Sequence, residues 1–267
     1  MSFNIDVYRK PLAYGQYTLT DKEYANIKAL NYSSIKEGDK KDIEYIEFAL
    51  NGQFRPKSDS LNLGKVFHCY LYEPEKFEKT YYFSESHFTP KRNKKEIEHE
   101  IVWKGGCKTR IDLYDGEKIK RMGEAILANP YCRTLVELPG KCETTLLWRH
   151  PIYDVNFKSR YDKLPDKDFI FDLKTTKGAY EKSFAYDFYK YGYDVQSAIY
   201  SDAHEVLFQE ERDYVIISVS NDEPFISRIY NITRETREKA RQKYHKHIEN
   251  LIEYSENPDL KYQPKDL

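Results

Sequence analysis

Apolar runs long enough to cross a membrane are missing from this chain; nothing uninterrupted approaches the ~20 residues that a spanning helix needs. The opening residues Met1-Ser2-Phe3-Asn4-Ile5-Asp6 also lack the basic and apolar regions of a secretory leader. Both absences lead us to expect a soluble, cytoplasmic protein with no membrane partner. Net charge is nearly absent too, at −1, so overall charge announces no nucleic-acid partner, and any such contact must use local basic patches and bound metal. Cysteine is scarce: Cys69, Cys107, Cys132 and Cys142 form no C-x-x-C pair, which fits no zinc site and suggests reduced thiols. There is no internal repeat and no linker-like stretch. A chain of 267 residues is long enough for one large domain with a sizeable core. We read residues 1–60 as a polar lead-in to that same domain and 61–267 as its main body.

What is plentiful is tyrosine, 25 in all, an amphipathic side chain suited to packing and to nucleic-acid contact alike. One run organises the rest. Phe169-Ile170-Phe171-Asp172-Leu173-Lys174-Thr175-Thr176 reads as a strand following the turn Leu164-Pro165-Asp166-Lys167-Asp168. Alternation puts Phe169, Phe171 and Leu173 on one face, and Ile170, Asp172 and Lys174 on the other. An Asp and a Lys two apart in an apolar strand need partners, because an unpaired buried charge is expensive. Upstream, Tyr153 to Asp162 is a second strand-like run with Lys158, Arg160 and Asp162 on one face. If the two runs form a hairpin, two carboxylates and an ammonium adjoin, a set able to hold a hard cation and position a water.

Asp162, nine residues, then Asp172-Leu173-Lys174 resembles the core of the PD-(D/E)XK nuclease superfamily. Gly64-Lys65-Val66-Phe67-His68 is similar to the G-x-x-x-H helix of its RecB-like and exonuclease VIII (RecE-type) phage exonuclease branch. Tyr191-Gly192-Tyr193-Asp194-Val195-Gln196-Ser197-Ala198-Ile199-Tyr200 is similar to that branch's Y-G-Y-x-x-Q-x-A-x-Y helix. Tyr161 stands where Pro commonly precedes the first Asp. The resemblance implies an α/β fold with a restriction-endonuclease-like core, a central mixed β-sheet flanked by helices. It implies Asp162, Asp172, His68 and the Leu173 carbonyl as ligands of Mg²⁺ or Mn²⁺, with Lys174, Asp172 and Asp162 catalytic and Gln196 and Tyr200 on the DNA backbone. It implies a deoxyribonuclease that degrades linear double-stranded DNA from 5′ ends, leaving 3′ single strands for an annealing partner in phage recombination. A homo-oligomer is a further expectation, since processive relatives form rings. The alternatives are an endonuclease or single-strand-specific nuclease in repair or defence, and a DNA-binding module without catalysis. Some relatives carry an iron–sulfur cluster with one Cys before the core and three after it; the cysteines here do not follow that pattern, and no cluster is expected.

The remaining segments read from pattern alone. A helix from Leu61 to Tyr72 carries Leu63, Val66, Phe67 and Tyr70 on its apolar face; another, Gly116 to Asn129, carries Ile119, Met122, Ala125, Ile126 and Leu127. The Lys91-Arg92-Asn93-Lys94-Lys95 cluster and the Gly105-Gly106 turn read as solvated loop or as an arm over DNA. Glu143-Thr144-Thr145-Leu146-Leu147-Trp148 reads as the first core strand, with Glu143 either near the site or holding a basic neighbour. A single helix is expected from Glu181 to Leu207, burying Phe184, Phe188, Tyr191, Val195 and Ile199, with Gly192 inside it. Strands Asp213 to Ser220 and Pro224 to Ile232 follow, then a closing helix, Thr233 to Tyr254, rich in basic residues. In Asn31 to Lys36, serine is the expected N-cap. His87, His99 and His150 read as structural.

Overall fold

The computed structural model describes residues 3–39, 43–52, 59–85, 94–100, 106, 108–166 and 169–259. Cys107, His87, Lys91, Arg92, Asn93, Gly105 and the tail from 260 onward lie outside the described residues. Strands form at β1 (Gly15–Thr18), β2 (Tyr81–Phe83), β3 (Thr109–Ile111), β4 (Gly140–Arg149), β5 (Asn156–Pro165), β6 (Phe169–Thr176), β7 (Asp213–Ser220) and β8 (Ser227–Ile232). They assemble as an antiparallel sheet β1-β4-β5, a small parallel pair β2-β3, and a mixed sheet β6-β7-β8. With helices packed around these sheets, the chain has the expected α/β architecture. Strand β8 begins three residues later than expected, at Ser227.

The alternation along β6 divides the molecule. Phe171 and Leu173 enter one apolar cluster with Leu63, Phe67, Ile119, Met122 and Ile126 from two helices, Asp59–Tyr72 and Leu113–Ala128. Ile170 enters the other, with Trp148, Phe157, Phe184, Ile199, Tyr244 and Ile248. Strand β7 alternates in step: Val215, Ile217 and Val219 on the first side, Tyr214 and Ile216 on the second. A parallel pair buried on both faces is what a near-continuous apolar strand demands.

The stretch before residue 60 is built into these layers. Strand β1 pairs with β4, Leu30 bridges Phe157, and Ile35 and Ile46 are fully buried. The helix Tyr32–Ile35 is capped by Asn31, not by a serine: Asn31 Oδ1 accepts the Ser34 N–H at 3.0 Å, since Asn31 immediately precedes the helix whereas Ser33 and Ser34 lie inside it. The helix expected from Gly116 starts at Leu113, where Asp112 accepts the Asp115 N–H, and Leu127 falls outside its buried stripe at 39% exposure. Asn129 then caps the next helix, Pro130–Glu137.

The expected single helix from Glu181 to Leu207 is two, Glu181–Lys190 and Tyr193–Phe208. They are separated at Gly192, whose φ of 71° lies in the left-handed region. The break shifts the helical phase, so Tyr191 is 40% exposed rather than buried, while Phe184, Phe188, Val195 and Ile199 stay in the core. A Cβ at Gly192 would also lie 3.2 Å from Lys36 Cβ. Gly192→Ala is therefore expected to cost about 1–2 kcal/mol, read as a lower urea midpoint; an unchanged midpoint would mean the break does not depend on glycine.

Candidate active site

The two charged runs do not pair as a hairpin. Strand β5 hydrogen-bonds to β4, and β6 to β7 in parallel, so each run belongs to a different sheet. They nevertheless lie alongside one another. The buried aromatic and aliphatic partners on β4 and β7 outcompete a direct β5–β6 ladder, leaving Asp162 and Asp172 facing a common space at the seam.

His68 closes that seam. The Asp59–Tyr72 helix buries Phe67 completely and crosses β6 closely at Gly64, where a Cβ would come within 3.4 Å of Thr175 Oγ1. Four residues on, the same face presents His68. Its Nε2 donates to the Leu173 carbonyl at 3.0 Å, and its Nδ1 lies 3.1 Å from Asp162 Oδ2. A carbonyl and a carboxylate can only accept, so both ring nitrogens carry protons and His68 is an imidazolium. Burial by itself pushes the ring toward neutrality, but the Asp162 charge and hydrogen bond, with Asp172 behind, raise its pKa above the usual value. Burial likewise opposes ionisation of Asp162, yet His68 and Lys174 bring its pKa below the usual value.

Lys174 Nζ stands 2.5 Å from Asp172 Oδ2 and 4.7 Å from the centre of the Tyr193 ring. Burial alone would favour neutral lysine; Asp172, Tyr193 and Asp162 outweigh it, so its pKa is raised and it is a cation. For Asp172, burial dominates and the pKa is raised, with Lys174 pulling against it and Asp162 reinforcing it. Gln196 and Tyr200, set by the resemblance against the DNA backbone, both point inward. Gln196 Nε2 donates to Asp172 Oδ1 at 3.0 Å and the residue is 5% exposed. Tyr200 Oη donates to the Arg160 carbonyl at 2.7 Å, its ring 4.6 Å from that of Tyr161.

Three neighbours were not assigned from spacing. Glu143 stands opposite Asp162 across β4–β5, because Cys142 pairs with Lys163 and Thr144 with Tyr161. Its φ of 50° lifts it out of the ladder, and burial, followed by the Asp162 charge, raises its pKa. Its Oε2 is also 3.8 Å from Arg160 Nη1, so the two readings left open for Glu143 hold together. Tyr193 lay within the quoted motif but carried no role. Tyr72 places its ring edge-on to His68, and its hydroxyl is raised well above the usual pKa by burial, then by Asp162 and Asp172. Tyr72 lies one helical turn after His68, a spacing legible in the sequence, whereas Tyr193 is revealed only by the packing of its helix against Lys174. The basic residues of the closing helix, Arg234–Glu256, are largely committed nearby: Arg237 to the Ile232 carbonyl and Glu211, Arg241 to Asp202, Lys239 to Glu235.

The donor set suits a hard divalent cation: two carboxylates, a main-chain carbonyl and an imidazole. Asp172 Oδ2 is buried and meets the Lys174 ammonium at 2.5 Å, and a carboxylate oxygen paired in this way keeps a second lone pair for a cation. Among the described residues no three His, Cys, Asp or Glu side chains stand ready-made around one point. The reason is local: His68 spans Asp162 and Leu173 itself, and must shed a proton before its ring can become a ligand.

A family profile described as a PDDEXK-like domain of unknown function (DUF3799) matches residues 32–260. Among solved structures, the crystal structure of a "putative exonuclease" from Eubacterium rectale shares the fold at a TM-score of 0.65. The two are 17% identical, and the match covers 91% of this chain and 88% of that one. No curated protein matches the chain. No helix among the described residues is long and apolar enough to cross a membrane. The match over residues 32–260 takes in His68, Asp162, Asp172 and Lys174 alike. The chain therefore belongs to the PDDEXK-like DUF3799 family, within the PD-(D/E)XK superfamily.

Proposed function

We propose that this protein is a metal-dependent DNA nuclease of the exonuclease VIII type, degrading linear duplex DNA from 5′ ends and leaving 3′ single strands for an annealing partner. The observation that carries the reading is the meeting, from two sheets and a helix, of Asp162, Asp172, Lys174, His68 and the Leu173 carbonyl.

Asp162, Asp172, the Leu173 carbonyl and deprotonated His68 would hold Mg²⁺ or Mn²⁺. The cation, when bound, supplies charge neutralisation at a phosphodiester and acidity to water. The chain's own residues do the rest. Gln196 fixes the rotamer of Asp172 through its amide. Lys174, held as a cation, orients a water by donating a hydrogen bond and stabilises charge that develops on the phosphate oxygens. Its raised pKa favours that role over proton abstraction. Tyr200 acts from inside, bracing β5 at Arg160 one turn of the pleat from Asp162. Glu143, opposite Asp162, adds negative potential that favours cation capture.

The test is digestion of linear duplex labelled separately at its 5′ and 3′ ends, with Mg²⁺, with Mn²⁺ and with EDTA, beside a closed circular duplex. Loss of the 5′ label first, only with metal and only on linear DNA, is the expected outcome. Cutting of circles would replace the exonuclease mode with an endonuclease. Binding without cleavage under either metal would overturn catalysis.

A further inference from the structure

Among the described residues, the densest run of exposed large aromatic side chains is Tyr180, Tyr186, Tyr189 and Tyr191. Their exposures are 59%, 67%, 58% and 40%. Tyr186 and Tyr189 sit on the helix Glu181–Lys190, which Tyr180 and Tyr191 flank, and that helix is not loose. Phe184 and Phe188 anchor its inner face, with the Phe184 ring stacked 4.5 Å from Tyr230. Asp187 Oδ2 accepts from Thr176 Oγ1 at 2.8 Å, which ties the helix to the end of the strand that carries Asp172 and Lys174. The outward side is thus a rigid row of tyrosine rings on a firmly seated element.

That row is continuous with the candidate active site. Lys174 lies against Tyr193, and the Tyr193 and Tyr191 rings are 5.8 Å apart. Lys190 Nζ sits 5.3 Å from the centre of Tyr191 and 5.2 Å from that of Tyr186, and Lys243 Nζ, ion-paired with Asp194 at 2.5 Å, is 5.6 Å from Tyr189. Aromatic faces interleaved with ammonium groups are the combination that binds unpaired nucleic acid: bases stack on the rings and phosphates meet the lysines. A blunt duplex keeps its bases stacked inside and offers the rings nothing.

Resting on the nuclease reading above, we infer that the Tyr186–Tyr191 row is a base-stacking platform that receives unpaired DNA strand beside the reaction centre. The enzyme then grips the single strand at a frayed or resected end, and Tyr186 and Tyr189 determine that preference through their ring faces.

The experiment measures fluorescence anisotropy in EDTA, with labelled oligo-dT of about 20 nucleotides and a blunt duplex of equal length. Wild type is compared with Tyr186→Ala, Tyr189→Ala, the variant carrying both Ala changes, and the corresponding Phe variants. Each Ala change is expected to weaken oligo-dT binding about tenfold, while each Phe change stays within about twofold. Blunt-duplex affinity is expected to stay within about twofold throughout. Because both side chains are exposed, their loss is not expected to unfold the protein, and a thermal melt of each variant checks this. Wild-type affinity for oligo-dT in the double Ala variant overturns the platform, as does equal loss in the Phe variants. If the double Ala variant instead dissociates a wild-type oligomer in sedimentation with oligo-dT binding unchanged, the row is a subunit contact and the inference falls. A wild type that cleaves linear duplex yet ignores oligo-dT removes the platform and leaves the nuclease standing. A wild type that neither binds nor cleaves any DNA removes both.

Discussion

Lys174→Ala is expected to slow metal-dependent hydrolysis of linear duplex DNA about 10²- to 10³-fold while leaving duplex affinity within a few-fold. Lys174 is 16% exposed at its side chain, so it is too enclosed to serve as a general phosphate clamp, and its Nζ is held 2.5 Å from Asp172. An ammonium fixed there, and kept charged by Asp172 and Tyr193, acts on charge that appears only as the phosphodiester is attacked. Asp172→Ala should do more. It removes a cation ligand, leaves Lys174 without its carboxylate and strips Gln196 of its acceptor, so no hydrolysis above background is expected. The reading is single-turnover cleavage of end-labelled duplex at matched protein concentration, with binding measured separately in EDTA. Wild-type hydrolysis in the Asp172→Ala/Lys174→Ala double variant would sink the site assignment.

The second large effect concerns stability in acid, and its source is remote from the site. His150 is 3% exposed, packed against Trp148, Tyr153 and Phe157. Its Nδ1 accepts the Ile152 N–H at 3.2 Å, so the proton of the neutral ring sits on Nε2, 3.1 Å from His245 Nε2 and 3.3 Å from Tyr244 Oη. Burial, then the nearby His245, lowers its pKa from 6.5 to about 4, against the opposing pull of Asp202; Arg241 adds to the lowering. The unfolded chain therefore takes up a proton near pH 6.5 that the folded chain refuses until about pH 4. Between those values the unfolded state binds more protons, so stability is full above the window and falls as pH drops through it. The loss from His150 amounts to about 3 kcal/mol by the bottom of the window. Urea unfolding at several pH values should show this slope, and His150→Gln should flatten it by about one proton. An identical slope in that variant would place the acid sensitivity elsewhere, for instance at His204 or His245, whose pKa values are also lowered by burial.

These expectations draw on two kinds of information. Local pattern was enough to place every candidate ligand on its element. A period of two put Asp172 and Lys174 on one face of β6 and Phe171 and Leu173 on the other, and the two apolar clusters confirm that division. A period of 3.6 put Gly64 and His68 on one face of a helix, and that face meets β6. The order of the three motifs identified the superfamily. Pattern of this sort works because side-chain direction is set by backbone geometry within a few residues.

Tertiary structure decided which faces meet. The spacing of Asp162 and Asp172 suits a hairpin, yet the apolar residues of β4 and β7 claim those strands, and the carboxylates meet across a seam between sheets instead. Glu143 could be assigned only once the β4–β5 register put it opposite Asp162. Tyr191 left the core because a left-handed Gly192 rephased the helix, at a point where Lys36, far away in sequence, approaches closely. The charge states of His68 and Lys174 likewise belong to the assembled site, since each is held by a carboxylate from another element or another residue of the same face. Periodicity fixes what a residue shares a face with; the partner of that face is chosen by burial summed over the whole chain, and that sum is taken only in three dimensions.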